Sequence, residues 1–329
     1  MLRLTKGLVT IAVVLYSTPL TAWLLFRAWY GEQWPMVGAL NAVGLWWFAP
    51  LVVLLPVALL VRARQATLMS LLILLPALLF FGDDFLPGQS REVAEDIPRL
   101  RVLSFNALIS NVAYDAVAET IRTEEPDVIA IQELSEEMAA ELTARVGEQY
   151  PYQLLYPSPY PDGIGLWSRY PLREGPSLDY AGWKHWAQSA TVEVEGHSVR
   201  LFNIHLWPIG VLDRELFARN LAYQHAQVAV LQKVIAETEG AVLVVGDFNA
   251  SPTNESYHRM DEELVDAWRE VAIGPGFTWP APGARLRWSQ PFLRIDYMWT
   301  KGRVTPLRVR VLPRIGSDHL PLVGDFALE

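Results

Sequence analysis

The chain has 329 residues, of which 51% are hydrophobic, and it carries a formal net charge of −9 with no cysteine. The absence of cysteine excludes a disulfide scaffold and any metal site built from thiolates. The length allows one large domain or a domain with an appended segment, and the acidic balance is unlike the basic surface of proteins that grip nucleic acid mainly through its phosphates.

The first 82 residues contain three apolar segments without a charged side chain, at 7–26, 36–61 and 66–82. The first two are long enough to cross a bilayer as helices, and the third is near the lower limit. A cleaved signal peptide explains the first segment poorly, because no small-residue cleavage site is evident and further apolar segments follow. We therefore predict that residues 1–82 form a membrane anchor of three transmembrane helices, with a buried soluble helical hairpin as the alternative.

The charges that flank these segments predict the orientation of the anchor. Arg3 and Lys6 precede the first segment, and Arg62 and Arg64 lie between the second and the third. Because short cytoplasmic loops carry an excess of Lys and Arg, the N-terminus is predicted to be cytoplasmic and the chain after the third helix extracytoplasmic. The expected location is the inner or plasma membrane.

A polar segment with Pro and Gly follows the anchor, and residues 83–98 are predicted to be a linker to a folded domain at 99–329. At most roughly 3.5 Å per residue, such a linker keeps the domain near the lipid. Residues 1–81 hold five of the 27 basic and one of the 36 acidic residues, so residues 82–329, with 22 basic and 35 acidic, carry −13. This charge argues mildly against nucleic acid, although a local basic patch is compatible with it.

From residue 100 the sequence alternates between strand and helix patterns. Apolar runs bounded by turn residues predict strands, and a 3.6-residue periodicity predicts helices. The predicted strands are 101–106, 127–132, 163–168, 188–195, 198–204, 241–247, 294–300 and 321–327, and the predicted helices are 113–123, 135–146 and 213–238. One α/β domain of layered sheets and helices accounts for this pattern.

The segment VVGDFNASP, residues 244–252, ends an apolar strand on an acid and an amide. Strand residues two apart project to the same face, so the Asp247 carboxylate and the Asn249 amide are expected to point into the same space, as they would in a functional site. The alternative is a turn, because Asp, Asn and Ser followed by Pro commonly end strands by bonding to their own backbone. The segment alone does not decide between the two.

Polar side chains recur where the other predicted strands begin or end. Ligands and catalytic groups of α/β sheets gather at such ends, although each residue taken singly could cap a turn or begin a solvated helix. Besides Asp247 and Asn249, the residues are Asn106, Gln132, Glu133, His205, Asp296, Ser317, Asp318 and His319.

Taken in order, the motifs Asn, Gln-Glu, Asn-x-His, Gly-Asp-x-Asn, Arg-Ile-Asp and Ser-Asp-His resemble those of the endonuclease/exonuclease/phosphatase superfamily, over about residues 99–328. This group of metal-dependent phosphoesterases includes deoxyribonuclease-like nucleases, sphingomyelinases and inositol polyphosphate phosphatases. The resemblance implies that 99–329 is a catalytic domain of the α/β class. Its expected fold is two packed mixed β-sheets flanked by helices, a four-layer α/β/β/α sandwich, preceded here by three transmembrane helices.

The resemblance also implies a bound divalent metal ion. An anionic phosphate ester repels hydroxide, so its hydrolysis needs charge neutralisation and an activated water. Glu133 offers the hard oxygen ligand that Mg²⁺ prefers, and by resemblance Asn106 and Asp318 assist in the same shell. Asp247 and Asn249 resemble the family's pair that addresses the attacking water and the phosphate. Mg²⁺ is the expected cofactor, with Mn²⁺ as the alternative.

Two histidines are the expected proton-transfer or phosphate-binding groups. His319 is predicted to be the general base or a charged clamp on the phosphoryl oxygens, since an ordinary histidine can take a proton near neutral pH. Asp296 is expected to hold the His319 ring and fix its tautomer. His205 is then the acid for the departing oxygen or a second clamp, and the sequence does not assign these roles.

The expected function is metal-assisted hydrolysis of a phosphate ester at the membrane, with a lipid headgroup or another extracytoplasmic mono- or diester as substrate. The anchor, the short linker and the tryptophans Trp183, Trp186, Trp207, Trp279 and Trp288 favour a lipid. A nuclease is the alternative, because bases also stack on aromatic side chains. A binding protein without catalytic activity is the third possibility, and the sequence leaves the oligomeric state open.

Overall fold

The computed structural model describes residues 2–86, 88, 93–94, 96–178, 183–209, 214–284 and 287–329. Its helices are α1 (Leu2–Tyr30), α2 (Pro35–Ala42), α3 (Gly44–Phe48), α4 (Leu51–Leu60), α5 (Arg64–Phe81), α6 (Tyr114–Glu124), α7 (Glu136–Val146), α8 (Arg214–Ala236), α9 (Glu255–Asp261) and α10 (Ala267–Val271). Its strands are β1 (Arg99–Asn106), β2 (Val128–Gln132), β3 (Tyr152–Tyr156), β4 (Ile164–Ser168), β5 (Leu172–Glu174), β6 (Ala187–Val194), β7 (His197–His205), β8 (Ala241–Asp247), β9 (Val265–Asp266), β10 (Asp296–Lys301), β11 (Val304–Val311) and β12 (Leu322–Leu328).

These strands form two six-stranded sheets. Sheet A has the order β11-β12-β1-β2-β4-β3, and sheet B has the order β5-β6-β7-β8-β10-β9. Both sheets are mixed, because the pairs β1–β2 and β7–β8 are parallel and the other neighbours are antiparallel. The sheets pack face to face with helices on both outer faces, which confirms the predicted four-layer α/β/β/α sandwich.

The central strands are apolar on both faces because both faces are covered. In β1, Leu100 and Val102 belong to the core between the sheets, whereas Leu103 and Phe105 pack with residues of helices α6 and α7. Successive strand residues point to opposite faces, so a strand buried on both sides has no polar alternation. Strand β8 repeats the arrangement, with its outer face packed on α8 and α9.

The domain's predicted strands and helices are present, with ends that differ by at most two residues among those that the structure describes. The prediction omitted β3, β5, β9 and β11, which are the four outermost strands of the two sheets. An edge strand has one neighbour and exposes part of its length, so its sequence is short, charged or mixed and lacks the apolar run on which the prediction relied.

The first and third predicted membrane segments correspond to helices long and apolar enough to cross a membrane, Arg3–Gln33 and Arg64–Phe81. The second does not form one straight helix. Pro35–Ala42 and Gly44–Leu60 are bent by 73° at their junction, so this segment is a broken span or a re-entrant loop. One apolar cluster joins the C-terminal half of α1 to the start of α4 and the end of α5, and a second joins the N-terminal half of α1 to the end of α4 and the start of α5. Helix α1 is therefore parallel to α5 and antiparallel to α4. This arrangement places α2 at the end of the bundle nearest the domain.

A buried polar network holds α2 against the domain. Glu32, which is 3% exposed, accepts hydrogen bonds from Asn41 at 2.7 Å and from Asn254 at 2.8 Å, and its other oxygen lies 3.0 Å from Nε2 of His225. Asn254 also donates to the carbonyl of Gly38 at 3.1 Å. Because these groups are removed from water, each needs its partner, and the network fixes the position of α2.

The bend itself contacts the domain. A Cβ on Gly44 would lie 2.3 Å from Oγ1 of Thr253, so only glycine permits this approach. Thr253 donates to the carbonyl of Asn41 at 2.5 Å. Beyond α5, Asp84 forms ion pairs with Arg269 at 2.8 Å and Arg294 at 3.5 Å. The start of segment 83–98 is therefore held by the domain and is not a free tether.

Replacing Glu32 with Ala is expected to weaken the docking of α2, because two buried amides and His225 lose their shared acceptor. Removing one partner from a buried charged network costs about 3 kcal/mol, which lowers the melting temperature of a protein of this size by roughly 6 °C. The measurement is thermal unfolding of the detergent-purified protein. Gln33→Ala, at the neighbouring exposed side chain, is the control, and equal melting of both variants would contradict the role of Glu32.

Candidate active site

Strands of both sheets bring the predicted polar residues to one edge of the sandwich. Asn106 pairs in register with Gln132 between β1 and β2, and His205 pairs with Asp247 between β7 and β8. Asp296 begins β10 and lies opposite Asp247, because β10 runs antiparallel to β8. The carboxyl ends of the parallel strands therefore meet the start of β10, the kind of edge at which α/β proteins build their sites.

The carboxylate of Asp247 lies at the centre of this edge and is 1% exposed. It accepts hydrogen bonds from Nδ2 of Asn106 at 2.9 Å and from the backbone and side-chain amides of Asn249 at 2.8 and 3.1 Å. The Nε2 atoms of His205 and His319 each lie 3.7 Å from its Oδ2. Four of the other predicted site residues thus lie around this one buried carboxylate.

The segment VVGDFNASP is both part of the polar cluster and a turn, the two alternatives that its sequence offered. Strand β8 ends at Asp247, and Asn249 has a left-handed backbone with φ of +48°, so strand alternation is the wrong reason for their proximity. The turn brings them together instead, because Asp247 accepts from the Asn249 N–H. Gly246 has φ of +136°, and a Cβ there would lie 1.9 Å from the carbonyl oxygen of Ile204. Only glycine allows this approach of β8 to β7.

Glu133 follows β2 directly and has a left-handed backbone with φ of +51°, a strained conformation of the kind found at functional sites. Its Oε1 accepts from Nδ2 of Asn106 at 3.2 Å and its Oε2 from the backbone N–H of Ile109 at 3.1 Å. Because Asn106 donates to both Glu133 and Asp247, a single amide holds the two carboxylates side by side.

Asp296 contacts His319 in the manner of an orienting carboxylate. Nδ1 of His319 lies 3.1 and 3.0 Å from the two oxygens of Asp296. An ionised carboxylate only accepts, so Nδ1 carries the hydrogen and Nε2 is directed toward Asp247. Ser317 secures this loop, because its Oγ donates to the carbonyl of Asn106 at 2.8 Å and accepts from the His319 backbone N–H at 3.0 Å.

His205 is also buried, with its Nδ1 at 3.1 Å from the carbonyl oxygen of Pro161. A carbonyl cannot donate, so Nδ1 carries a hydrogen and Nε2 faces Asp247 and, at 4.0 Å, Glu133. The ring of Trp183 packs edge-on against His205 with 5.3 Å between centroids. The position of Nε2 is therefore set by contacts on the opposite side of the ring.

Asp318 lies along the same cleft, and its Oδ2 accepts from the indole Nε1 of Trp279 at 3.2 Å. Gln132 does not reach the cleft. It is fully buried, and its Nε2 donates to Asn203 at 2.6 Å, so this pair links the two sheets beneath the site. Trp186, expected among the substrate-facing tryptophans, is buried in the core on the α8 side.

The pKa values of the site residues are shifted because several ionisable side chains lie close together and away from water. Burial raises the pKa of Asp247 to about 6, against the opposing influence of His319 and His205. Burial alone lowers the pKa of His319, but the nearby carboxylates of Asp296 and Asp247 outweigh it and raise the pKa to about 10. The protonated form of His319 is thus favoured in the folded protein.

The site residues form the floor of a cleft of about 690 Å³. Among the residues that the structure describes, neither Lys nor Arg lines this cleft. One wall is formed by α2 and its junction with α3. The sequence carries no signal for this wall, because the segment reads as an ordinary membrane helix. The floor residues are Glu133, His205, Asp247, Asn249, Asp318 and His319.

The donor set fits a hard divalent ion. Glu133 and Asp318 present carboxylates to the cleft, and Mg²⁺ prefers oxygen ligands while keeping several waters. Potential ligand atoms of Asp247, Asp296 and His319 also lie within 4.8 Å of one another. That second group suits a metal less well, because both oxygens of Asp296 already contact Nδ1 of His319, at 3.1 and 3.0 Å.

The model of the Endonuclease/Exonuclease/phosphatase family matches residues 103–319. The match includes every predicted site residue from Asn106 to His319. The chain therefore belongs to this family of hydrolases that act on phosphate esters. Comparison with curated proteins found no match.

Solved structures share the fold at low sequence identity. An endonuclease/exonuclease/phosphatase from Bacteroides vulgatus is 20% identical, with a TM-score of 0.56 over 70% of this chain and 99% of that chain. A beta toxin from Staphylococcus aureus is 16% identical, with a TM-score of 0.55 over 68% and 99%. D. rerio TDP2 complexed with a single-strand DNA product is 16% identical, with a TM-score of 0.56 over 69% and 98%.

His319→Gln tests the charge arrangement through its pH dependence. The pKa is raised to about 10 in the folded protein from an ordinary value near 6.5. The protonated ring therefore stabilises the fold fully below pH 6.5, and this contribution is lost as the pH rises through 10. Without added metal, the melting-temperature difference between wild type and variant should be largest near pH 6.5 and smaller near pH 10.5. An unchanged difference would contradict the arrangement.

Proposed function

We propose that this protein is a membrane-anchored, Mg²⁺-dependent phosphoesterase that hydrolyses the phosphate ester of a lipid headgroup. The observation that carries the proposal is the position of the cleft, whose ionisable floor faces a wall contributed by the apolar N-terminal segment. A water-soluble substrate has no need of such a wall. A headgroup attached to lipid must be reached beside the membrane, and this arrangement keeps the floor there.

The side chains of the floor have complementary roles in this proposal. Mg²⁺ bound at Glu133 and Asp318 would supply charge neutralisation for the phosphate. Asp247, held by Asn106 and Asn249, orients the attacking water and takes its proton. The water oxygen forms a bond to phosphorus, the ester P–O bond breaks, and the departing oxygen takes up a proton.

The two histidines both face the Asp247 carboxylate, each with Nε2 at 3.7 Å from Oδ2. His319 lies between two carboxylates, which favour its imidazolium form, and it serves as the clamp on a phosphoryl oxygen. His205 acts in its imidazolium form, in which Nδ1–H is held by the Pro161 carbonyl and Nε2–H supplies the proton to the departing oxygen. Asp296 acts only through His319, by holding its ring.

Charge distribution favours a lipid over a nucleic acid. A nucleic acid strand presents a phosphate at each nucleotide, and proteins hold these neighbours with Lys and Arg. Neither residue is found among the described residues that line the cleft, so the site is suited to one phosphate at a time. The similar fold of D. rerio TDP2, solved with a DNA product, makes nuclease activity the alternative to be tested.

The test is a panel of substrates incubated with the detergent-purified protein and Mg²⁺ or Mn²⁺. Phospholipid, sphingomyelin and phosphoinositide vesicles are compared with plasmid DNA. We expect metal-dependent release from one of the lipids and loss of release on addition of EDTA. Plasmid cleavage without lipid turnover would reverse the proposal in favour of a nuclease.

Glu133→Gln and Asp247→Asn should each lower kcat/KM on the lipid by at least about 100-fold, because each removes a charge that the reaction requires. Both replacements keep the shape of the side chain. Glu136→Gln, at an exposed carboxylate near the start of α7, is the matched control and should retain activity. Full activity of Glu133→Gln would contradict the assigned metal ligand.

The orientation proposed from the flanking charges has the N-terminus in the cytoplasm and the domain outside. Protease added to intact spheroplasts should then degrade the domain while a cytoplasmic marker protein survives. The readout is an immunoblot with an antibody against the domain. Degradation only after the membrane is lysed would show the opposite orientation.

A further inference from the structure

The cleft is divided into two chemically different parts. Its floor is the ionisable group of side chains described above, whereas the remainder is mainly apolar. Leu216 and Phe217 of α8 and Leu293 lie on the domain side, and Ala39 and Val43 lie on the side of the N-terminal segment. A ligand that fills the whole cleft therefore has an anionic end and an apolar end.

Small side chains on α2 leave this apolar part open. Gly38, Ala39 and Ala42 all line the cleft, and Gly38 packs so closely on α8 that an added Cβ would lie 2.9 Å from Leu221. The network around Glu32 keeps α2 in this position. The wall is thus built by docking of α2, and its small residues set the width of the cleft.

The surroundings of α2 match the boundary between lipid and water. Exposed aromatic side chains surround the junction of α1 and α2, where Trp29, Tyr30 and Trp34 are found. Aromatic residues are enriched at such boundaries. Because α2 is bent by 73° from the helix that follows it, it lies close to the membrane plane if that helix crosses the membrane. The apolar wall of the cleft then lies at the level of the lipid–water boundary.

We propose that α2 and its junction with α3 form a subsite for the hydrocarbon chain of the substrate, which makes part of the apolar N-terminal segment a wall of the active site. The proposal rests on the phosphoesterase function proposed above and specifies the substrate as an ester whose alkyl part occupies this apolar wall. The phosphate lies at the floor, and the first methylene groups of the chain lie against Ala39 and Val43.

The test compares two diesters with the same leaving group, methyl p-nitrophenyl phosphate and octyl p-nitrophenyl phosphate, the latter below its critical micelle concentration. Each reaction breaks the same P–O bond and releases p-nitrophenolate. The wild-type full-length protein with Mg²⁺ should have a kcat/KM at least about tenfold higher for the octyl ester, since its extra methylene groups are removed from water.

Ala39→Phe fills the proposed subsite and should abolish the octyl preference while the methyl ester is still hydrolysed. Leu216→Ala, on the opposite wall, should reduce the preference without adding bulk. Met36→Phe is the matched control, because Met36 is exposed on the same helix and lies outside the cleft lining. Retained turnover of the methyl ester shows that each variant is folded.

The outcomes separate the two proposals. Hydrolysis of both esters at equal rates by the wild type, or an octyl preference that Ala39→Phe and Leu216→Ala leave intact, would overturn the subsite and leave the phosphoesterase function standing. If neither ester is hydrolysed in the presence of metal, both the phosphoesterase function and the subsite are overturned.

Discussion

The buried carboxylate of Asp247 is the constraint on which the rest of the site depends. A negative charge so far from water is tolerated only where donors surround it. Asn106 and Asn249 supply these donors, and the Nε2 atoms of two histidines face the same oxygen. These partners come from both sheets. The hydrogen bonds that the Asp247 carboxylate requires therefore hold the strand ends of the two sheets next to each other.

The loop that follows Asp247 also carries the contacts to the apolar N-terminal segment. Asn249 faces the site, and a few residues later Thr253 and Asn254 bind the backbone of α2 and the carboxylate of Glu32. The polar floor of the cleft and the N-terminal helices are therefore joined by one short stretch of chain. This connection explains why the bundle forms a wall of the cleft and is not merely a tether beside it.

The interior of the domain was predictable because its strands are buried on both faces. Such strands are continuous apolar runs, as in β8, and they stand out from their surroundings. The edge strands β3, β5, β9 and β11 were missed, since one exposed side allows mixed sequences. Site residues such as Glu133 and His319 were found through ordered motifs, whereas Gln132, which shares a motif with Glu133, links the sheets below the site.

The sequence by itself determined the class of fold, the apolar N-terminal segments and the set of polar residues, because these depend on local periodicity and on motifs in a fixed order. Only the tertiary structure decided that residues 36–61 bend at Val43 and that α2 faces the cleft. A straight membrane helix and a bent helix that docks on the domain can have the same apolar composition. What separates them is a set of partners, Asn254 and Thr253, that lie some two hundred residues away along the chain and come close only when the domain folds.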